Sequence, residues 1–237
     1  MSSYIKIFFI IIHTIICSAL AMLFSIIDRS FYLYYKLSKI WSKGILLISG
    51  IKLSITGLEN FDHKSIYVFV SNHSSQFDIP SLQYSIPVPI SIVFKKELSR
   101  IPLFGWQLKM GPYIMIDRAN VEDALKSIEE AKKRMIGKKL SPLLFAEGTR
   151  SRTGEVQPFK RGAFYLASKV GFPIIPVSVG GASKILPKGK FKIKSGTIYV
   201  HFGRPIPTEN ISNRKDEVQL MEKVRGIVIQ NMENGKW

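Results

Sequence analysis

Seven short runs rich in β-branched and aromatic residues follow residue 51, at 52–56, 65–71, 90–94, 113–117, 143–146, 174–179 and 197–202. Most are separated by stretches long enough for a helix. Between the fourth and fifth, Asn120 is placed to cap a helix whose first turn holds Glu122 and Asp123. Val121, Leu125, Ile128 and Met135 fall on one face of it, and Lys132, Lys133 and Arg134 load its last turn before Gly137. These signals agree with the capping and dipole preferences of helix ends. A second helix is expected over about 214–232, with Leu220, Val224, Ile227 and Val228 inward. Strands alternating with helices predict a three-layer α/β fold. No internal repeat or low-complexity linker divides it, and 237 residues suffice for a full core.

A different signal precedes this domain. Residues 7–27 are apolar apart from His13, Thr14 and a few serines. At 1.5 Å per residue they reach about 31 Å, close to the hydrocarbon thickness of a bilayer. Ala19-Leu20-Ala21 has the small-x-small look of a cleavage site. Apolar residues nevertheless continue for six positions beyond it, and only Lys6 precedes it, so the segment reads as retained. After Asp28-Arg29-Ser30, the residues Leu33, Leu37, Trp41, Gly44, Ile45 and Ile48 recur at helical spacing. Lys36, Lys39 and Lys43 occupy another face, with Tyr32, Tyr34 and Tyr35 nearby. A basic amphipathic helix with aromatic residues suits a lipid headgroup layer. The expected division is a membrane-associated two-helix segment over 1–49 and a catalytic domain over 50–237. More positive charge follows the apolar segment than precedes it, which places the domain on the cytoplasmic face, whether the segment spans or dips.

Lysine and arginine number 34 against 17 acidic residues, a net charge of +17. Such a field attracts anionic partners. Nucleic acid is not the expected one, because the charge accompanies a long apolar segment and no nucleic-acid module appears. Cys17 stands alone, which excludes an intrachain disulfide and a Cys-rich zinc site. His13, His63, His73 and His201 make no metal-ligand spacing, and no metal is expected. Neither a G-x-S-x-G elbow nor a G-x-x-x-x-G-K-[ST] loop occurs. The lysines at 184, 188, 190, 192 and 194 gather around Pro187 and Gly189 in a hairpin-like loop that is either solvated or a membrane or carrier contact.

Two strand ends carry chemistry. Asn72-His73-Ser74-Ser75-Gln76-Phe77-Asp78 follows the second run and offers an imidazole and a carboxylate. In an ideal helix these two side chains would point about 140° apart. They meet only if His73 sits in a turn and the helix begins later. Pro80 fits a first helical turn, with Asp78 as its expected cap. Phe145-Ala146-Glu147-Gly148-Thr149-Arg150-Ser151 follows the fifth run. There Gly148 allows close backbone approach to a ligand and Arg150 can fork onto a phosphate. The carboxyl ends of strands are where open α/β sheets build their sites.

With Gly111-Pro112-Tyr113-Ile114-Met115-Ile116-Asp117-Arg118 and Ile174-Ile175-Pro176-Val177-Ser178-Val179, these segments make four blocks in order. The set resembles the glycerolipid acyltransferase family, and within it the 1-acylglycerol-3-phosphate acyltransferases, over roughly residues 51–204. The resemblance implies a three-layer αβα acyltransferase domain with a mixed, largely parallel sheet. It implies transfer of an acyl group from an acyl-carrier protein or coenzyme A thioester to the sn-2 hydroxyl of lysophosphatidic acid, giving phosphatidic acid. No cofactor beyond that co-substrate is implied. A thioester is already activated, so deprotonating the alcohol, stabilising the oxyanion and holding both substrates suffice. His73 matches the family's base and Asp78 the carboxylate that orients it. Glu147, Gly148, Thr149 and Arg150 match the block placed with the acceptor and its phosphate. Arg118 is a second candidate phosphate ligand and Lys95 a weaker one that could equally be solvated, and the segment from Ile101 to Trp106 resembles one near the acyl chain. Ala146 stands where the family usually has proline, a change expected to alter loop stiffness and not chemistry. Another lysolipid, such as a lyso-ornithine lipid or lysophospholipid, would suit the same residues, and a silent lipid-binding protein would keep the fold.

Overall fold

All seven expected runs form strands: β1 Ile51–Thr56, β2 Val68–Ser71, β3 Ile90–Lys95, β4 Ile114–Ile116, β5 Ser141–Phe145, β6 Ile174–Gly180 and β7 Gly196–Phe202. The structure is a computed structural model and describes residues 1–116, 132, 133, 135–209, 211 and 213–235. The strands make one sheet in the order β1-β7-β6-β2-β5-β3-β4. Only β6 and β7 run antiparallel; the other neighbours are parallel. The α-helices with both ends among the described residues are α1 Ser3–Ile27, α2 Tyr32–Ser49, α3 Asp78–Ser85, α4 Phe104–Met110, α5 Arg161–Val170, α6 Ala182–Ile185 and α7 Arg214–Asn234.

Continuous apolar runs in the central strands follow from cover on both faces. Phe69, Leu143, Ile175 and Val177 pack with Leu37, Ile45, Leu82 and Leu108 of α2, α3 and α4. Val68, Val70, Leu144 and Ile174 point the other way, onto Phe164 and Leu166 of α5 and Val224 and Val228 of α7. Successive side chains thus feed opposite layers, as the pleat requires. Arg161 of α5 and Glu217 of α7 pair at 2.7 Å. Asn213 caps α7 with a reciprocal box to Asp216.

The helix expected from Asn120 lies mostly outside the described residues. Its end is described and differs from expectation: residues 135–138 are helical, so Gly137 does not terminate it. Lys139 takes the left-handed conformation at φ 51°, and Leu140 N closes the end onto Met135 O at 2.9 Å. That is a glycine-type helix end built with lysine.

The segment 1–49 forms the expected two helices. α1 is long and apolar enough to cross a membrane, with mean hydropathy 2.6. It also belongs to the body of the protein. Cys17, Ala21, Tyr34, Leu37, Ile45 and Leu46 share one hydrophobic cluster with the sheet. Lys6 is buried, its Nζ donating to Ser49 O at 2.7 Å and Ser195 Oγ at 3.1 Å. Tyr34 donates to Gln107 of α4. The lysines of α2 are not equivalent, contrary to the shared polar face expected. Lys39 Nζ donates to Tyr84 O and Ile86 O at the end of α3, and burial pulls it down to about 8.

The 184–194 lysines lie on the connection between the antiparallel neighbours β6 and β7, which holds α6 and a longer excursion.

Candidate active site

Parallel pairing of β2 with β5 sets Ser71 opposite Phe145, so the two chemistry-bearing loops leave the sheet side by side. Hydrogen bonds lock them together. Ala146 N donates to Ser71 O at 3.1 Å, and Ser151 N to His73 O at 2.8 Å. Asn72, fully buried, extends the ladder with its amide: Nδ2 donates to Val179 O at 2.9 Å and Oδ1 accepts Val179 N at 2.8 Å. Its side chain thereby substitutes for a peptide between β2 and β6.

His73 follows in a turn, and α3 begins at Asp78, which resolves the spacing conflict of an ideal helix. Nδ1 of His73 donates to Oδ2 of Asp78 at 2.8 Å. The same oxygen accepts Ser74 N at 2.7 Å and Ser75 N at 2.8 Å. Asp78 is fully buried. It does not cap its own helix, as the sequence suggested. Phe77 holds the cap position, and the Asp78 carboxylate folds back over the preceding turn. With Nδ1 committed to a carboxylate, Nε2 of the neutral ring is an acceptor. The imidazole lies on the Phe145 ring, centroids 4.0 Å apart and planes 23° apart.

Glu147 is 2% exposed. Its Oε1 accepts the His73 backbone N–H at 2.8 Å. Burial pushes its carboxyl up to about 7, against the help of the His73 and Gln157 backbone N–H groups; nearby Asp78 adds to the rise. Arg225 of α7 lowers it slightly through charge and donates to Gln157 O at 3.2 Å. Gly148 has φ 71°, which favours glycine, and a Cβ there would come within 3.0 Å of the Lys160 side chain. Lys188 Nζ donates to Thr149 Oγ1 at 3.0 Å and Arg150 O at 2.8 Å. The Arg150 guanidinium makes no hydrogen bond or ion pair among the described residues, and Glu147 and Arg150 do not pair. Lys95 ends β3 on the same edge of the sheet and is exposed. Arg118 lies outside the described residues. Among the described residues, no three His, Cys, Asp or Glu side chains are grouped to hold a metal ion.

Four contributors were missed from sequence: Asn72, Phe145, Lys188 and Arg225. Asn72 and Phe145 lie in the two loop blocks themselves, Asn72 next to His73 in the chain and Phe145 opposite Ser71 in the sheet. Lys188 is legible in the sequence only as one of a lysine cluster. Arg225 carried no signal, because its partners lie 68 and 69 residues away in the chain.

A half-buried imidazole held by a carboxylate, beside a glycine turn whose arginine has no partner among the described residues, could take up a proton next to an anionic group. The comparisons give the class. Residues 52–180 match the family model described as Acyltransferase, more than half of the chain, and the protein belongs to that family. It is 34% identical over 182 residues to the 1-acyl-sn-glycerol-3-phosphate acyltransferase of Limnanthes douglasii, covering 76% of this chain and 64% of that protein. It is 31% identical over 189 residues to that of Saccharomyces cerevisiae, with 78% and 61% covered. Against the human 1-acyl-sn-glycerol-3-phosphate acyltransferase alpha it is 30% identical over 181 residues, with 76% and 64% covered. The chain therefore spans less than two thirds of these relatives' length. The fold matches the crystal structure of the 1-acyl-sn-glycerophosphate (LPA) acyltransferase PlsC from Thermotoga maritima, with TM-score 0.82 and 22% identity over 99% of this chain and 95% of that one.

Proposed function

We propose that the protein transfers an acyl group from a thioester to the sn-2 hydroxyl of 1-acylglycerol-3-phosphate at a membrane surface, producing phosphatidic acid. The observation that carries this reading is the His73–Asp78 pair, which leaves Nε2 free to accept a proton. His73 removes the hydroxyl proton as the oxygen attacks the thioester carbonyl. Asp78 holds the tautomer and stabilises the imidazolium that forms. When the tetrahedral intermediate collapses, the imidazolium returns the proton to the departing thiolate, so the base is regenerated. No acyl-enzyme is needed.

Arg150, with Lys95 and Arg118 as further cations, holds the acceptor phosphate. Glu147 positions His73 through its backbone N–H, and the rigid Gly148–Thr149 turn aims Arg150. A cavity of about 90 Å³ lies between the helix pair and the sheet, lined by Ala21, Leu37, Ile79, Phe94, Phe104 and Leu108 among others. Ile79, the residue after Asp78, is part of this lining, and the apolar cavity suits part of an acyl chain. The donor is an acyl-carrier protein or coenzyme A thioester; both are anionic and suit a +17 chain.

The segment 1–49 is the membrane-facing part in this reading. α1 exposes Ile5, Phe8, Ile12, Ile16, Leu23 and Ile27 along its length, while its other side packs on the protein. A helix with one side committed to the domain is suited to lie in the bilayer surface facing the cytoplasm.

The test is an assay of the purified chain with lysophosphatidic acid and competing lysolipids, offered with each thioester. Phosphatidic acid formed far faster than any other product supports the reading. Equal use of a lysolipid lacking a phosphate monoester overturns the choice of acceptor.

A further inference from the structure

The excursion between β6 and β7 carries five lysines, at 184, 188, 190, 192 and 194, with no acidic residue among them. Its tip is a built turn. Lys190 N donates to Pro187 O at 3.1 Å, with Gly189 at φ 82° between them. The turn sends Lys188 inward, onto Thr149 and Arg150, and leaves Phe191 78% exposed between the exposed Lys190 and Lys192. A single exposed phenylalanine needs no explanation of its own. This one lies two residues from a contact with α1, whose outer side is exposed and apolar. Ile193 N donates to Ser3 Oγ at 3.0 Å, and Lys6 donates to Ser195, which fixes the excursion against the first turns of α1. There Tyr4 is 82% exposed and Phe8 59% exposed. An aromatic tip, a collar of cations and an adjoining apolar helix are the combination that an anionic bilayer surface attracts.

We infer that residues 187–194 are a second lipid-docking element, with Phe191 entering the apolar layer beside α1 while Lys190, Lys192 and Lys194 meet anionic headgroups. Lys188 links that contact to the loop that holds Arg150. An acidic carrier protein would answer the charge alone. It would give no use to an exposed phenylalanine two residues from the contact with α1. The inference rests on the membrane-facing reading of α1 and goes beyond it by assigning a separate segment, a lipid charge class and a connection to the site.

The test uses the full chain with Cys17→Ser and Phe191→Cys, labelled with an environment-sensitive fluorophore. A matched Lys223→Cys label reports exposed α7 on the other layer. Vesicles are phosphatidylcholine with and without phosphatidylglycerol. Docking itself is read by flotation of the unlabelled wild type. The expected result is a blue shift at 191, quenched by nitroxide lipids, strongest with phosphatidylglycerol and absent at 223. In parallel, the triple variant Lys190→Glu, Lys192→Glu, Lys194→Glu should bind anionic vesicles at least about tenfold more weakly than wild type, with little change on neutral vesicles. A water-like label at 191 on protein that floats overturns the inference and leaves docking by α1 intact. Wild type that fails to float overturns both. A label that responds to acyl-carrier protein and not to vesicles makes the excursion a carrier contact, and also overturns it.

Discussion

His73 and Asp78 meet through one short bond, Nδ1 to Oδ2 at 2.8 Å, and that carboxylate oxygen is itself fixed by the backbone N–H groups of Ser74 and Ser75. Three donors converge on one buried oxygen. The ring orientation is therefore set by the turn that carries it, before any substrate binds.

Asp78→Asn keeps the shape but removes the charge. With the amide oxygen in the place of Oδ2, His73 Nδ1, Ser74 and Ser75 keep their acceptor, and the amide nitrogen takes the place of the buried, partnerless Oδ1. The ring then loses the negative charge that holds it and stabilises its protonated form. Turnover should fall by about 10²–10⁴-fold with the acceptor KM little changed. Initial rates with lysophosphatidic acid measure it; wild-type turnover would show that the charge of the carboxylate has no role.

Arg150→Ala should lower kcat/KM for lysophosphatidic acid by about 10–100-fold, the worth of a charge-assisted hydrogen bond of about 1.5–3 kcal/mol. Arg150→Lys should recover little of it, since an ammonium cannot fork onto a phosphate. Slow turnover of a phosphate-free lysolipid should be unaffected by either change. Loss of both activities in parallel would instead indicate damage to the loop.

The raised Glu147 carboxyl has a consequence for stability. Folding holds this group protonated up to about 7, whereas the unfolded chain releases its proton near 4.5. The native state binds more protons in that window, so Glu147 favours folding below it, and this contribution is lost as pH rises through 7. Glu147→Gln, a permanently neutral side chain, should gain stability over wild type between pH 5 and pH 8, about the two ends of that window. Thermal unfolding of both proteins at the two pH values reads the difference. A gap that stays constant with pH would mean that Glu147 ionises normally.

Lys139 occupies a left-handed helix end that glycine adopts without strain. Lys139→Gly should raise stability by about 1 kcal/mol, or about 2–4 °C in Tm. An unchanged or lowered Tm would show that the lysine side chain compensates for its backbone.

The central strands were legible because the sheet is covered on both sides there and β2, β5 and β6 are mostly apolar and buried, whereas β1 and β7 alternate. Their ends were less so. The run expected from Ser65 enters the sheet only at Val68, because Tyr67 N turns to the Ser141 hydroxyl at 3.2 Å. The His73–Asp78 pair was legible because both partners lie within one turn and Pro80 dates the start of the helix. Glu147 was not. Its burial and its bond to the His73 backbone depend on β2 and β5 being neighbours, a pairing that no local pattern specifies. Lys39 shows the same limit. Its charge and spacing suited a lipid-facing stripe, yet the end of α3, more than 40 residues on, claims its ammonium.

The decisive experiment is the turnover of purified, full-length His73→Ala on lysophosphatidic acid, with vesicle flotation and Tm recorded alongside. Proton removal by Nε2 requires phosphatidic acid formation to fall by at least about 10²-fold while flotation and Tm hold at wild-type values. A variant that binds vesicles, unfolds at the same temperature and turns over within a few-fold of wild type would contradict the assignment of His73 as the base.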